Sequence, residues 1–141
     1  MLAAHAFCSL NQQDDWSYLA HMSDIRELFS PDRRFFVVLS SYEVRMSHWI
    51  TGAALWESAP RRKLLEFGNA WWSTEQATWQ PDGANLSVEL RRYPGDAPSL
   101  LLDIDAARRI ITPHTPAGAA PFGFDALDPY LEEYYRQHRR A

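Results

Sequence analysis

The chain carries an internal repeat at an offset of fifty residues. Met22-Ser23 followed by Phe29-Ser30-Pro31-Asp32 aligns without a gap on Trp72-Ser73 followed by Trp79-Gln80-Pro81-Asp82. The register continues, with Phe36 and Val38 falling on Leu86 and Val88. Alternate apolar positions that match in this way mark extended segments presenting one face inward. Further on, Leu55-Trp56-Glu57-Ser58-Ala59 with Arg61-Arg62 resembles Asp103-Ile104-Asp105-Ala106-Ala107 with Arg108-Arg109, after a deletion of one or two residues. A duplication of this length restricts the chain to two copies of one supersecondary unit.

Each copy contains turns with a stated mechanism. Proline at the first central position sets φ, aspartate bonds the backbone, and Gly83 supplies a positive φ in the second copy, which is a hairpin signature. Arg33 stands where Gly83 does, so the first turn is expected to be wider or right-handed throughout. Pro94-Gly95-Asp96 makes a later reversal. Strands are predicted near 35–41, 43–50, 53–58 and 62–67, then near 74–79, 85–93, 99–105 and 108–112. The fold class that follows is mainly β (β-rich α+β), an antiparallel meander of seven or eight strands built from two four-stranded units. Those units span about 22–69 and 72–112 within a single domain, 1–141.

Two helical segments flank the meander. Trp16, Leu19, Met22 and Ile25 recur at a spacing near three, which argues helix, whereas the repeat asks the later part to be a strand. Helix to about Ala20 and strand from about Asp24 reconciles the two. Thr112 to Gly123, with three prolines and two glycines, reads as a linker or loop lying on the sheet. The C-terminal helix, about 126–140, has Asp128 to cap it, Pro129 at its first position, Glu132 and Glu133 early and arginines late. Its Tyr130, Tyr134 and His138 share one face, which should pack on the sheet.

The four-strand units resemble blades of WD40 and TolB-like β-propellers. The residues that carry the likeness are Phe29-Ser30-Pro31-Asp32-Arg33-Arg34-Phe35-Phe36-Val37-Val38, Ala54-Leu55-Trp56-Glu57 with Lys63-Leu64-Leu65, and Trp79-Gln80-Pro81-Asp82-Gly83 with Leu86-Ser87-Val88. The chain supplies two units where a closed propeller needs at least about four blades. The two must therefore pack as a sandwich, join in one curved sheet, or assemble with other chains. The resemblance implies a protein-binding scaffold without chemistry of its own.

Composition narrows the function classes. At 141 residues, 46% of them apolar, the chain can bury a proper core. A net charge of −4 repels polyphosphate, so nucleic acid is not an expected partner. The longest apolar runs, such as Phe35 to Leu39, fall far short of the ~20 residues that cross a bilayer, so no membrane span is expected. Met1 to Leu10 lacks the basic start of a secretory leader, and Cys8 is the only cysteine. A cytoplasmic setting is the expectation.

No constellation stands out as catalytic. His5, His21, His48, His114 and His138 are scattered without metal-ligand spacing, and the six glycines are isolated, so neither a metal nor a cofactor is expected. Asp103 and Asp105, two apart, belong on one strand face around a core-facing Ile104. Trp71-Trp72 is the most informative pair, because neighbours on a strand point to opposite faces, so at most one enters the same core; the other is covered by a second layer or the helix, or is exposed as a contact for a protein partner or a sugar. With Trp56 and the pair Arg91-Arg92 it defines the candidate binding set Trp71, Trp72, Trp56, Arg91 and Arg92. The function expected is non-enzymatic recognition of a macromolecular partner, a protein, with immunity- or antitoxin-like neutralisation as one version and a homo-oligomer as another arrangement. Two rivals are a carbohydrate- or small-ligand-binding β-sandwich or barrel with Trp56, Trp71, Trp72 and Trp79 lining a cavity, and a hydrolase or lyase using His48, Asp103 and Asp105.

Overall fold

A computed structural model describes residues 22–44, 48–67, 71–92, 97–115 and 120–138. The first unit forms β1 (Met22–Phe29), β2 (Phe35–Val44), β3 (His48–Glu57) and β4 (Arg62–Phe67). The second forms β5 (Trp72–Trp79), β6 (Asn85–Arg92), β7 (Leu100–Asp105), β8 (Ile110–His114) and the two-residue β9 (Phe122–Gly123). A 3-10 turn, Phe124–Ala126, leads into helix α1 (Leu127–His138). Both sheets are antiparallel meanders in sequence order, β1-β2-β3-β4 and β5-β6-β7-β8-β9. The mainly β reading is therefore observed, with one C-terminal helix.

The differences have local causes. The predicted strands 35–41, 43–50 and 53–58 are two long ones, β2 and β3. Small and polar residues suggested breaks there, but Ser41 and Thr51 face each other across the ladder and their hydroxyls bond at 3.0 Å, while Gly52 sits opposite Ser40. β9 lies in the predicted linker and pairs Phe122 with Ile111. Helix α1 starts one residue before Asp128, which lies in the first turn, where its carboxylate meets the positive helix end. The helix expected before Ala20 falls outside the described residues.

The two Pro-Asp turns close alike, contrary to the wider or right-handed first turn expected. Arg33 has φ +62° and Gly83 φ +97°. Arg33 N–H donates to Ser30 O at 2.8 Å and Gly83 N–H to Gln80 O at 3.2 Å. Left-handed backbone costs a non-glycine residue ~1–2 kcal/mol. Here Arg33 recovers contacts: its guanidinium lies 4.0 Å from the Phe29 ring centre, and Ser58 Oγ donates to its carbonyl at 2.7 Å.

Asp32 organises that turn by accepting from Ser30 Oγ at 2.8 Å and from Arg34 N–H at 3.1 Å. The Arg34 backbone N–H and then the Ser30 hydroxyl hold its carboxyl below the usual carboxylate range. A group with a depressed folded pKa contributes stability above its unfolded pKa and loses it as pH falls through the folded value. Asp32→Asn should therefore flatten the acid side of the urea-midpoint profile while leaving the turn bond intact. An unchanged acid slope would remove Asp32 from that role.

The orientation of the two units decides where the core sits. In the first sheet Phe35, Val37, Leu39, Ala53, Leu55, Leu65 and Phe67 enter it; in the second, Leu86, Val88, Leu90, Leu100, Leu102, Ile104 and Ile111 do. Under the fifty-residue offset Leu86 corresponds to Phe36, not to Phe35. Equivalent faces of the two sheets thus point the same way, and the units stack head to tail. Phe29, Phe36 and Trp56 turn away from the core, while their counterparts Trp79, Leu86 and Ile104 enter it or pack against it. The outer row of the second sheet, Asn85, Ser87, Glu89, Asp103 and Asp105, is polar apart from the exposed Leu101 opposite Glu89.

Hydrogen bonds between described residues link the units. Trp79 Nε1 donates to Leu28 O at 3.0 Å, and Thr51 N–H donates to Ser73 Oγ at 3.0 Å. Ser73 is buried, so Ser73→Ala leaves the Thr51 N–H without its acceptor. The expected loss is about 1–3 kcal/mol in urea unfolding. An unchanged midpoint would contradict the link.

Candidate interaction surfaces

Trp71 and Trp72 divide as strand alternation requires. Trp71 is 51% exposed and Trp72 1% exposed. The Trp72 ring meets Tyr134 of α1 at 6.3 Å between centroids, tilted by 55°. Trp72 therefore belongs to the core rather than to a contact surface, because the helix closes over the side of β5 on which it projects.

Arg92 pairs with Trp72 across the β5–β6 ladder. Its guanidinium carbon lies 3.9 Å from the Tyr135 ring centre, 5.5 Å from that of Trp71 and 5.9 Å from that of Trp72. The side chain is 13% exposed, and Nη1 stands 3.9 Å from Glu132 Oε2. Arg92 Nε and Nη1 are buried without hydrogen bonds, so ring faces and one carboxylate replace water around the cation. The consequence is a held platform: Trp71 presents its indole to solvent against a guanidinium stacked on Tyr135. Glu132 and Tyr135, one helical turn apart, were not in the sequence-derived set; their i, i+3 spacing was the available signal.

The remaining candidates lie elsewhere. Arg91 is exposed and, as the next residue on β6, projects from the opposite face. Trp56 stacks on Phe36 at 6.0 Å with 12° between the ring planes, on the outward face of the first sheet. Arg61 covers that pair, 4.6 Å from Phe36 and 5.4 Å from Trp56, and bonds Glu27 at 3.2 Å. The structure brings Trp71 and Arg92 together, buries Trp72 beneath them, and does not gather all five residues into one surface.

Asp103 and Asp105 share the outward face of β7, with Ile104 fully buried between them. Asp103 is part of a polar ladder across the sheet. Gln80 Nε2 donates to Ser87 Oγ at 2.9 Å, Ser87 Oγ donates to Asp103 Oδ1 at 3.1 Å, and Asp103 Oδ2 meets His114 Nε2 at 2.5 Å. The serine hydroxyl points to a carboxylate and not to an imidazole, so the ladder lacks the order a nucleophile needs. His48 begins β3 in the first sheet, whereas Asp103 and Asp105 point away from that sheet.

A groove of about 350 Å³ lies between β4 and the start of α1, lined by Leu64, Leu65, Glu66, Phe124, Asp125, Leu127 and Asp128. No tryptophan lines it. Among the described residues no group of three His, Cys, Asp or Glu is placed to hold a metal ion, and no helix is long and apolar enough to cross a membrane. Comparison with family models, curated proteins and solved structures returns no match for this chain.

Proposed function

We propose that this chain is a non-enzymatic binding protein that recognises a protein partner through the surface around Trp71. The observation that carries the reading is the half-exposed indole of Trp71, braced by Arg92 on Tyr135. An aromatic ring already fixed in place loses little conformational freedom on binding, and Trp and Arg dominate the energetic centres of protein interfaces. A cytoplasmic setting and an immunity-like version, in which a complementary surface neutralises the partner, belong to the same proposal.

Trp71→Ala is the test. Its ring is half in solvent, so unfolding should shift by no more than about 0.5 kcal/mol. Recovery of the partner by immobilised chain should fall by at least about tenfold in affinity. A partner held equally by wild type and Trp71→Ala would contradict this surface.

A further inference from the structure

Four hairpin turns among the described residues meet at one end of the two sheets. Ser58 N–H donates to Arg34 O at 2.9 Å, joining the β1–β2 and β3–β4 turns. Ala106 N–H donates to Ala84 O at 2.9 Å, joining the β5–β6 and β7–β8 turns. Gly83 lies against Asp32, whose Oδ2 would stand 3.6 Å from a Cβ at position 83, so the two sheets bring their turns together. The connecting residues 30–34, 58–61, 80–84 and 106–109 hold five arginines, Arg33, Arg34, Arg61, Arg108 and Arg109, but two carboxylates, Asp32 and Asp82. The chain as a whole carries a net charge of −4. Positive charge is therefore gathered at one end of an acidic molecule.

Those arginines fall into two groups. Arg34 pairs with Asp32 at 3.1 Å, Arg61 with Glu27 at 3.2 Å and Arg108 with Asp105 at 3.9 Å. Glu27 and Asp105 are recessed, their side chains 24% and 23% exposed, whereas Arg108 is 74% exposed. Arg33, resting on the Phe29 ring, and Arg109 are exposed too, and among the described residues neither guanidinium meets a carboxylate. The same two residues have left-handed backbone, with φ +62° and +59°. Glycine takes that conformation at no steric cost, so arginine there holds a charge at the turn against its backbone preference. A guanidinium presents a planar fork of donors that matches a carboxylate, and exposed forks on adjoining turns suit several carboxylates at once. A continuous phosphate backbone is a poorer match, because Asp32 and Asp82 interrupt the row and the net charge repels it at long range.

We infer that this end of the molecule is a docking surface for an acidic protein segment, with Arg33 and Arg109 receiving its carboxylates. The turns lie beyond Trp79, at the opposite end of β5 from Trp71, so this surface and the one around Trp71 can fail separately. The probe is acetyl-hexaglutamate amide, titrated into the isotope-labelled full chain at about 20 mM salt, where charges act over roughly 20 Å. Backbone amide shifts should change saturably at residues 30–34, 58–61 and 106–109, and those of Trp72 and Ser73 should not. Replacing both arginines, Arg33→Gly with Arg109→Gly, should weaken binding at least about tenfold. Glycine suits both backbones, so the double variant should keep the wild-type spectrum away from the turns. Arg136→Gln removes a charge from the last turn of α1, the helix whose Tyr134 packs on Trp72 at the other end of β5, and should change binding less than about twofold. Three results would overturn the inference: no saturable shifts at the turns, binding that survives the double variant, or an equal loss with Arg136→Gln. Equal affinity for hexathymidylate would overturn it as well, by making the surface a receptor for any polyanion.

Discussion

Trp72→Ala should destabilise the fold by about 3–5 kcal/mol, as truncation of a large buried aromatic does. The ring is 1% exposed and fills the space between the start of β5 and helix α1. Two partners lose by its removal. Tyr134, whose hydroxyl lies 3.4 Å from the carbonyls of Pro98 and Ser99, loses the ring that seats it. Arg92 loses one of its three aromatic neighbours, leaving its buried cation to Tyr135, Trp71 and the Glu132 carboxylate. Domains are stable by only ~5–15 kcal/mol, so the variant sits near the edge of folding. Urea unfolding followed by far-UV circular dichroism checks this directly. A shift below about 1 kcal/mol would mean that the helix does not rest on Trp72.

The second large effect tests how the units face each other. Val37 and Val88 are 0% and 1% exposed in the core, whereas Val38 and Ser87 belong to the outward faces. An unpaired carboxylate in an apolar core costs far more than an ordinary substitution, above about 4 kcal/mol. Val37→Asp and Val88→Asp should therefore abolish folding or nearly so. Ser87→Asn should be tolerated within about 1 kcal/mol, since that face is polar and an amide N–H can still donate to Asp103. Positions 37 and 87 are equivalent in the repeat, yet their substitutions should differ in severity because one face is sandwiched and the other is not. Equal tolerance at 37 and 87 would mean that the two sheets do not stack head to tail.

Much of this architecture was legible in the residues. The alignment of Phe29 and Phe36 on Trp79 and Leu86 located two equivalent hairpins, and each pair is in register across its ladder. The alternation Leu86, Val88, Leu90 showed which side of β6 faces the core, but that Phe35, Val37 and Leu39 rather than Phe36 and Val38 enter it was not legible, because every position from Phe35 to Leu39 is apolar. Strand lengths in the first unit were not legible, because Ser40, Ser41, Thr51 and Gly52 serve a ladder as well as a turn and only the cross-strand partner decides. Arg33 concealed a left-handed turn, since its backbone cost is offset by contacts with Phe29 and Ser58 that are distant in the fold's connectivity or invisible to turn statistics.

The site followed the same division. Strand alternation required that Trp71 and Trp72 part, but which ring would be covered depended on where α1 docks. Trp56 and Arg91 share residue types with Trp71 and Arg92, yet strand parity sends them to other faces. Tyr135 entered the platform because it lies one turn from Glu132 on the helix face that reaches Arg92.

The central claim is that two copies of one hairpin pair stack with equivalent faces pointing the same way. Methyl NOE spectroscopy tests it most directly. The account expects cross-peaks from Val37, Leu39 and Leu55, as a set, to Leu86, Val88 and Ile104, and none from Val38 to those three. Cross-peaks from Val38 to Val88 would instead bring equivalent faces together and contradict the stack.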